Sequence, residues 1–241
     1  MSTNFLKVRD FNISFGLGRS SSPDDKLIKL RKDLINEESD ELFTAIQTKN
    51  YVEILDAVSD ILYVVYGAAD SFEDEFDDRL NRTTNEIIKK VSLSDDILSI
   101  PSGLKRMEII INENKELENL LKDYSVDLFI LNNSFESKDI KGVLNQLVVI
   151  EHYMYTFSYL FGFNLNHTFD LVHQSNMSKL AEDEQTAQKT VEWYLENEKR
   201  YDSPSYRLSP DHKYWVIFNK NTGKALKSIK YHPVDLSGFV Q

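Results

Sequence analysis

The chain of 241 residues has 28 Lys and Arg against 39 Asp and Glu, which gives a formal net charge of −11 at pH 7. This acidity argues against a nucleic-acid-binding surface, because duplex binding depends on neutralising phosphates. The sequence has no cysteine, which excludes disulfides and thiolate metal sites and agrees with an intracellular, cytoplasmic location. The length allows one large domain or two small ones.

Two amphipathic helices are predicted first along the chain. The run Ser-Pro-Asp-Asp at 22–25 is typical of a helix start, with a capping serine, a proline at the first helical position and acid in the first turn. The first helix extends from this run to about Gln47, and the second extends from about Tyr51 to at least Ala69. The short connection between them predicts an antiparallel pair.

The rest of the chain is predicted to be mostly helical. The acidic run 73–78 continues the second helix on a solvated face, and 99–103 marks a break. Three further helices and a β-hairpin are predicted at about 104–122, 137–161, 168–180 and 213–228. The apolar stretch 143–163 is too polar to span a membrane. The predicted fold class is therefore all-α, a helical bundle with a small C-terminal β-hairpin.

Two groups of acidic residues inside the first two predicted helices are the most informative feature of the sequence. The groups are Glu37, Glu38 and Glu41 in the first helix and Glu53, Asp56 and Asp60 in the second. Separations of three and four residues place carboxylates on one side of a helix. Antiparallel packing would gather carboxylates that repel one another, and a cation such as Mg²⁺ or Mn²⁺ removes that conflict. The pattern predicts a metal site between helices of a bundle.

Each acidic group taken alone also has an ordinary structural explanation. Glutamates on a helix face are commonly just solvated, and Asn50 with Glu53 fits a helix N-cap with its reciprocal partner. The presence of both groups on either side of one tight turn, each flanked by strong apolar stripes, favours the metal site.

The sequence also indicates an internal repeat. Residues 49–56 resemble 138–145, and residues 34–38 resemble 110–114. A tyrosine recurs near the end of each copy, at Tyr66 and Tyr155. Chance similarity between amphipathic helices is the alternative explanation.

The second copy lacks acids that the first copy has. Where the first has Glu38, Glu53 and Asp56, the second has Asn114, Gly142 and Asn145. A true duplication would let one chain supply a four-helix core as a monomeric pseudo-dimer, whereas a single helix pair would need to form a homodimer.

The pattern Glu37-Glu38-x-x-Glu41 followed by Glu53-x-x-Asp56 resembles the signature of the all-α nucleoside triphosphate pyrophosphohydrolases. That superfamily includes the MazG proteins, the phosphoribosyl-ATP pyrophosphohydrolases and the dimeric dUTPases. The closest likeness is to phosphoribosyl-ATP pyrophosphohydrolase-like sequences of bacteria, phages and large viruses. It rests on stretches in the expected order, at 52–67, 172–179 and 223–236. The departure is an inserted or duplicated helical region at about 70–140, within a single predicted domain.

The resemblance implies a metal centre and a reaction. It makes Glu38, Glu41, Glu53 and Asp56 the ligands of Mg²⁺ or Mn²⁺. It gives Glu37 and Glu38 the catalytic role, with Glu37 either a further ligand or the group that orients water. A bound divalent ion suits hydrolysis between the α- and β-phosphates, because it offsets charge on the equatorial oxygens and stabilises the leaving pyrophosphate.

The resemblance also implies a wider set of substrate-binding residues. The set is Asp60, Tyr63, Asn176, Lys179, Lys224 and Lys227. Asn176 and Lys179 are three residues apart, so they can share a helix face for amide recognition and a phosphate contact. The two hairpin lysines reach the triphosphate as mobile cations or serve only solubility. Asp60 and Tyr63 line the sugar or base pocket, or else belong to the core.

The predicted function is metal-dependent hydrolysis of a nucleoside triphosphate to its monophosphate and pyrophosphate. Deoxynucleotides, with a dUTP-like pyrimidine first among them, are the expected substrates in a housecleaning role for the nucleotide pool. The alternatives are hydrolysis of phosphoribosyl-ATP and a non-catalytic helical interaction module whose acids are solvated. The expected partners include neither nucleic acid nor membrane, and the resemblance points to a virus- or phage-encoded protein.

Overall fold

The computed structural model describes residues 3–17, 23–72, 103–113 and 115–240. Within them the helices and strands are α1 Thr3–Phe15, α2 Asp25–Thr48, α3 Tyr51–Phe72, α4 Leu104–Glu113, α5 Lys115–Glu136, α6 Ile140–Phe161, α7 Leu165–Met177, α8 Glu184–Asn197, β1 Pro204–Leu208, β2 Trp215–Asn219 and the 3₁₀ turn Ser237–Phe239. This largely helical architecture with one two-stranded antiparallel sheet confirms the predicted fold class. No helix in the described ranges combines the length and apolarity needed to cross a membrane.

Contacts between residues divide the chain into two compact units. Unit 1 comprises Met1–Leu6, Arg19–Asp170 and Asp235–Gln241, and unit 2 comprises Lys7–Gly18 and Leu171–Val234. The predicted acid groups lie in unit 1, whereas the predicted hairpin lies in unit 2.

The first helical hairpin of unit 1 is built by clear local signals. Helix α2 begins at Asp25, and the Asp24 side chain accepts the backbone N–H of Leu27 at 2.8 Å. The predicted cap, Ser22, lies outside the described residues, and Pro23 precedes the helix instead of occupying its first turn. At the other end Lys49 adopts a left-handed conformation with φ 56°, which ends α2 and lets the chain reverse.

The core of unit 1 forms where α3 and α6 pack together, with α2 against α3 and α5 against α6. Both central helices are buried along most of their length, since α3 and α6 each turn apolar residues toward neighbours on more than one side. The largest fully buried side chains in the described ranges all belong to this unit: Tyr66, Tyr124, Phe5, Phe135, Phe157, Phe161, Phe169, Ile35, Leu42, Ile54 and Leu55.

The helices between α3 and α6 differ from the prediction. The single helix expected at about 104–122 is replaced by two, α4 and α5, and the second extends to Glu136. Asn114, which stands between them, lies outside the described residues, as do the acidic run 73–78 and most of the break at 99–103. Helix α6 agrees with the helix predicted at 137–161 and begins after an Asp139 cap.

Unit 2 contains a β-hairpin in which one predicted strand, now β2, pairs with a different partner from the predicted one. Strand β2 pairs antiparallel with β1, from Pro204 opposite Asn219 to Leu208 opposite Trp215. The prediction paired it instead with 224–228 across a turn at 219–223. That segment makes only an isolated bridge between Phe218 and Ala225 and a hydrogen bond from Leu226 N–H to Ile217 O at 2.9 Å.

The reason for this difference lies in the backbone donors that follow Leu226. Lys227 N–H bonds the Tyr194 hydroxyl at 3.2 Å, and Ile229 N–H bonds Thr190 Oγ1 at 3.2 Å, both on α8. Ser228 N–H bonds the Lys179 carbonyl at 3.0 Å. Residues 227–229 therefore pack on helical neighbours instead of continuing a strand ladder.

The C-terminal end of α6 is held by a buried arginine. Gly162 ends the helix with φ 81°, a conformation that an L side chain rarely adopts. The Arg106 side chain, which is buried, donates from Nε to the Leu160 carbonyl at 2.9 Å and from Nη2 to the Tyr159 carbonyl at 2.8 Å. A guanidinium at a helix C-terminus satisfies carbonyls that lack partners within the helix.

We expect the substitution Arg106→Met to lower the free energy of unfolding by about 2 kcal/mol, because two charge-assisted hydrogen bonds are lost and buried carbonyls stay unsatisfied. Urea denaturation followed by circular dichroism measures this change. The control is Lys105→Met, at an exposed position on the same helix. Equal losses in the two variants would contradict the capping role of Arg106.

Candidate active site

The acidic residues lie on α2 and α3, which are joined by a connection of two residues. The Asn50 N–H bonds the Ala45 carbonyl at 2.9 Å, and the Asn50 side-chain oxygen accepts the Glu53 N–H at 3.4 Å. The N-cap predicted at Asn50 is therefore present. It starts α3 at Tyr51 and places Glu53 in its first turn, close to the last turns of α2.

The two acid groups occupy the borders between buried and exposed faces. On α2, Glu37 and Glu41 are exposed and Glu38 is half-buried. On α3, Glu53 is exposed, while Asp56 and Asp60 are half-buried. The intervening residues of both helices, among them Ser39, Leu42, Leu55 and Ser59, are buried in the core.

The charges of the two helices influence one another. The pKa of Glu41 is raised from its ordinary value by burial and, next, by the carboxylates of Glu37 and Glu53. Glu37 belongs to the same helix, but Glu53 belongs to α3. Acidic side chains of both helices therefore share one neighbourhood, as antiparallel packing across the short connection requires.

The donor set has the chemistry of a site for a hard divalent cation. Carboxylate oxygens are the ligands that Mg²⁺ and Mn²⁺ take, and a cation among these side chains would relieve the repulsion that raises the pKa of Glu41. In the described part of the chain, no three Asp, Glu or His side chains are already arranged so that they could hold a metal ion. The ligand roles of Glu38, Glu41, Glu53 and Asp56 stay a prediction.

Further along α3, Tyr63 packs in the core. Its ring stacks on Phe169 of α7 with centroids 5.4 Å apart and an interplanar angle of 27°. Burial, and then the Asp60 carboxylate, raise the pKa of Tyr63 well above its ordinary value, so the phenol stays neutral. One turn earlier, Ser59 Oγ donates to Thr168 Oγ1 at 2.8 Å. The structure shows packing and polar contacts here, and a substrate role for Asp60 and Tyr63 stays a prediction.

A buried arginine near the start of α2 and a buried aspartate near the end of α3 are further charged residues of this hairpin. Arg31 and Asp70 are 4% and 2% exposed, and the Arg31 Nε donates to Ser71 Oγ at 2.9 Å. Burial lowers the pKa of Arg31 to about 10, and the Asp70 carboxylate acts in the opposite direction. The available signal was an arginine between Ile28 and Ile35 on a buried helix stripe, which requires a carboxylate partner.

The remaining predicted substrate-binding residues lie in unit 2. Asn176 is in the last turn of α7, and the Lys179 Nζ, just beyond it, donates to Asn176 Oδ1 at 2.6 Å. The two side chains thus meet, as their spacing predicted. Lys227 Nζ lies 4.1 Å from the centroid of the Tyr231 ring, and Lys224 is exposed. Both lysines follow β2 in irregular chain.

Comparisons with known proteins bear on the acid-bearing hairpin. The family model described as phosphoribosyl-ATP pyrophosphohydrolase matches residues 9–77, a range that contains α2 and α3. A protein of Acanthamoeba polyphaga mimivirus, described as "Uncharacterized protein L479", is 36% identical in an alignment that covers 94% of this chain and 91% of the relative. No solved structure matches the chain.

Residues 9–77 belong to the phosphoribosyl-ATP pyrophosphohydrolase family. The resemblance seen in the acidic pattern is thereby confirmed, and the viral relative agrees with the virus-type branch. The family points to a pyrophosphohydrolase that acts on a nucleotide-like substrate. Because the match to the viral relative covers 94% of this chain, most of the chain beyond residue 77 has a counterpart there.

We expect Glu41→Gln to raise the free energy of unfolding by roughly 0.2–0.5 kcal/mol near neutral pH in buffer with a chelator, because like charges three or four residues apart repel. The folded state raises the pKa of Glu41, so its charged form destabilises the fold at pH above the raised value. The gain should therefore vanish as the pH falls below the ordinary value of 4.5.

Chemical denaturation at several pH values measures this effect, with Asp40→Asn as the control. Asp40 is an exposed carboxylate next to Glu41 in sequence and is not among the groups that raise its pKa. A Glu41→Gln variant that is less stable than wild type at neutral pH would show that the carboxylates are not in conflict.

Proposed function

We propose that the chain hydrolyses a nucleoside triphosphate between its α- and β-phosphates, releasing the monophosphate and pyrophosphate. The proposal assigns Mg²⁺ or Mn²⁺ to the carboxylates of Glu38, Glu41, Glu53 and Asp56. The observation that supports it most is the packing of two acid-bearing helices against each other within the range that the pyrophosphohydrolase family model matches. Burial, and next the carboxylates of Glu37 and Glu53, raise the pKa of Glu41 there.

Electrostatics explain why a divalent ion belongs in this proposal. The chain has a net charge of −11, and a triphosphate is itself a polyanion, so the acid groups would repel the substrate. A divalent ion bound by the carboxylates supplies the positive charge that holds the phosphates and stabilises charge in the transition state. Without such an ion, the carboxylates would repel the phosphates of a nucleotide.

In the proposed reaction, this chain's residues position the nucleophile. The carboxylates of Glu37 and Glu38 accept hydrogen bonds from a water molecule and orient its oxygen toward the α-phosphorus. The new bond from that oxygen to the α-phosphorus forms in line with the bond to the bridging oxygen, which breaks. The pyrophosphate leaves with the bonding electrons, and the proton of the water passes to a carboxylate.

The substrate class in this proposal is a deoxynucleoside triphosphate, with a dUTP-like pyrimidine as the first candidate. The role in control of the nucleotide pool rests on analogy with the superfamily alone. The second candidate is phosphoribosyl-ATP, the substrate in the name of the matching family. Both reactions release pyrophosphate from a nucleotide triphosphate group.

The proposal includes contacts to the substrate by Asp60, Tyr63, Asn176, Lys179, Lys224 and Lys227. Their support differs. Lys179 and Asn176 are half-buried and bonded to each other, which gives a fixed pair of a cation and an amide. Lys224 is exposed and Lys227 lies on an aromatic ring, so their cations rely on flexible side chains.

We expect the purified chain, incubated with Mg²⁺ or Mn²⁺ and a panel of ribo- and deoxynucleoside triphosphates plus phosphoribosyl-ATP, to release pyrophosphate together with the matching monophosphate. Chromatographic separation of the products measures this. Glu38→Gln should reduce the rate by at least about a hundredfold, because it removes a charged ligand while keeping the size of the side chain.

The matched control is Glu118→Gln, an exposed glutamate in the first turn of α5, which should keep the wild-type rate. Release of orthophosphate without pyrophosphate would contradict the proposed cleavage site. Turnover of none of these nucleotides by a folded wild-type chain would favour a non-catalytic helical module.

A further inference from the structure

Two helical hairpins in unit 1 share one design. The first joins α2 and α3, of 24 and 22 residues, and the second joins α5 and α6, of 22 residues each. Each turn contains a lysine in the left-handed conformation, Lys49 with φ 56° and Lys138 with φ 57°. Left-handed non-glycine residues are uncommon, so their recurrence at the same point of both hairpins is informative.

The hydrogen bonds of the two turns also correspond. Lys49 N–H bonds the carbonyl three residues earlier, as does Lys138 N–H, at 3.2 and 3.1 Å. The next residues, Asn50 and Asp139, bond the carbonyl five residues earlier, each at 2.9 Å. Both side chains then accept the N–H three residues ahead, at 3.4 and 3.0 Å, and so cap the second helix of their hairpin.

The buried faces follow the same register. The spacing between Lys49 and Lys138 is 89 residues, and the four buried residues of α5 stand at that spacing from buried residues of α2. The pairs are Ile28 and Leu117, Ile35 and Tyr124, Leu42 and Leu131, and Ile46 and Phe135. The predicted similarity of 49–56 to 138–145 has this spacing of 89 residues. The predicted similarity of 34–38 to 110–114 does not, because residues 110–113 belong to α4 and not to α5.

The packing of the two hairpins brings corresponding helices together, as an approximate two-fold axis between them would do. Helix α3 packs on α6, and α2 packs on α5, so each helix meets its own counterpart. Burial raises the pKa of Tyr155, and the hydroxyl of Tyr66, 89 residues earlier in the chain, acts in the opposite direction, so these two equivalent side chains lie close together. Contact between equivalent residues is what a two-fold axis produces.

The second hairpin has lost the acids of the first. At the spacing of 89 residues, Glu37, Glu41, Glu53 and Asp56 correspond to Val126, Ile130, Gly142 and Asn145. Only Glu38 has an acidic counterpart, Asp127. That carboxylate accepts hydrogen bonds from Gln146 Nε2 and from the Tyr153 hydroxyl, both at 2.7 Å, within the second hairpin.

We propose that α5–α6 is a degenerate copy of α2–α3 that occupies the place of a second subunit and positions the acid face of α2 through the Tyr124 hydroxyl. The chain then has one acid site within a four-helix core that is complete by itself. The positioning role rests on the function proposed above, whereas the duplication does not.

The Tyr124 hydroxyl reaches the turn of α2 that carries the acids. It lies 2.6 Å from Ser39 Oγ, and Ser39 Oγ in turn donates to the Ile35 carbonyl at 2.6 Å. Tyr124 is therefore the donor to Ser39, in a fully buried chain of two hydrogen bonds. Ser39 directly follows Glu38 and precedes Glu41 by two residues, so this bond fixes the rotation of that turn.

A second link between α2 and α5 lies one turn away. The side-chain amides of Asn36 and Asn132 exchange two hydrogen bonds, at 3.0 and 2.9 Å. Asn36 and Ser39 stand on either side of Glu37 and Glu38. The second hairpin is thus hydrogen-bonded to α2 on both sides of the residues that carry these carboxylates.

The duplication is tested by thermal unfolding of the full chain at increasing protein concentration. A bundle completed by a second subunit gains stability by mass action, so its melting temperature rises with concentration. We expect the same melting temperature over about a hundredfold range of concentration. A steady rise would overturn the claim that α5–α6 replaces a partner.

The positioning role is tested with Tyr124→Phe against Tyr153→Phe, which removes a hydroxyl bonded only within the second hairpin to Asp127. Tyr124→Phe should lower kcat on the order of tenfold, keep KM within about twofold and weaken Mn²⁺ binding measured by calorimetry. Tyr153→Phe should leave all three quantities unchanged. The double variant Ser39→Ala with Tyr124→Phe should be no worse than Tyr124→Phe alone.

Three results would decide against positioning. Unchanged kcat and Mn²⁺ affinity in Tyr124→Phe, with only a lower melting temperature, would make the hydroxyl purely structural. Equal losses of kcat and Mn²⁺ affinity in Tyr153→Phe would show that the effect is not specific to the Tyr124 hydroxyl. A wild-type chain that neither turns over a nucleotide nor binds Mn²⁺ overturns the proposed function and the positioning role together, while the melting series judges the duplication separately.

Discussion

Burial of the apolar faces of α2 and α3 against each other brings acidic residues of both helices into one neighbourhood. Each fully buried Leu or Ile contributes about 1.5–3 kcal/mol, whereas a pair of like charges on a helix surface costs only about 0.2–0.5 kcal/mol. The burial of residues such as Leu42, Leu55 and Leu62 therefore outweighs the carboxylate repulsion that, after burial, contributes to the raised pKa of Glu41. The fold can therefore keep carboxylates of α2 and α3 near one another despite their repulsion.

The second hairpin shows that this packing does not require the acids. Helices α5 and α6 have the same turn geometry and the same buried register as α2 and α3, yet Val126 and Ile130 stand where the first hairpin has Glu37 and Glu41. Both replacements are largely exposed, at 53% and 44%. Because the hairpin forms with either set of side chains, the fold does not explain the acids of α2 and α3, which supports a chemical role for them.

The sequence predicted the elements whose signals are local and repeated. Apolar periodicity and the caps around Asn50 placed α2, α3 and α6 within a few residues of their observed ends. The sequence did not reveal α1, α8 or β1. Strand β1 is short and begins at Pro204. The segment predicted to pair with β2 is drawn away because the Tyr194 hydroxyl accepts the Lys227 N–H and the Lys179 carbonyl accepts the Ser228 N–H. Such choices are made by tertiary contacts, which a local pattern does not contain.

The repeat was predicted with only part of its register. The turn around Lys138 keeps a recognisable sequence, but α5 keeps only the spacing of its buried residues. The similarity of 110–114 to 34–38 therefore pointed to a segment before α5 as the counterpart. At the candidate site, the expected proximity of the two acidic helices agrees with the effect of Glu53 on the pKa of Glu41, while the ligand roles stay a prediction. The core position of Tyr63 depends on Phe169, which is distant in sequence.

Anomalous diffraction from crystals grown with Mn²⁺ and a non-hydrolysable nucleoside triphosphate analogue tests the acid site most directly. The predicted result is an anomalous peak about 2 Å from carboxylate oxygens of Glu38, Glu41, Glu53 and Asp56, with the triphosphate bound to the same ion. A peak found only elsewhere, with these four carboxylates turned apart into bulk solvent, would contradict it.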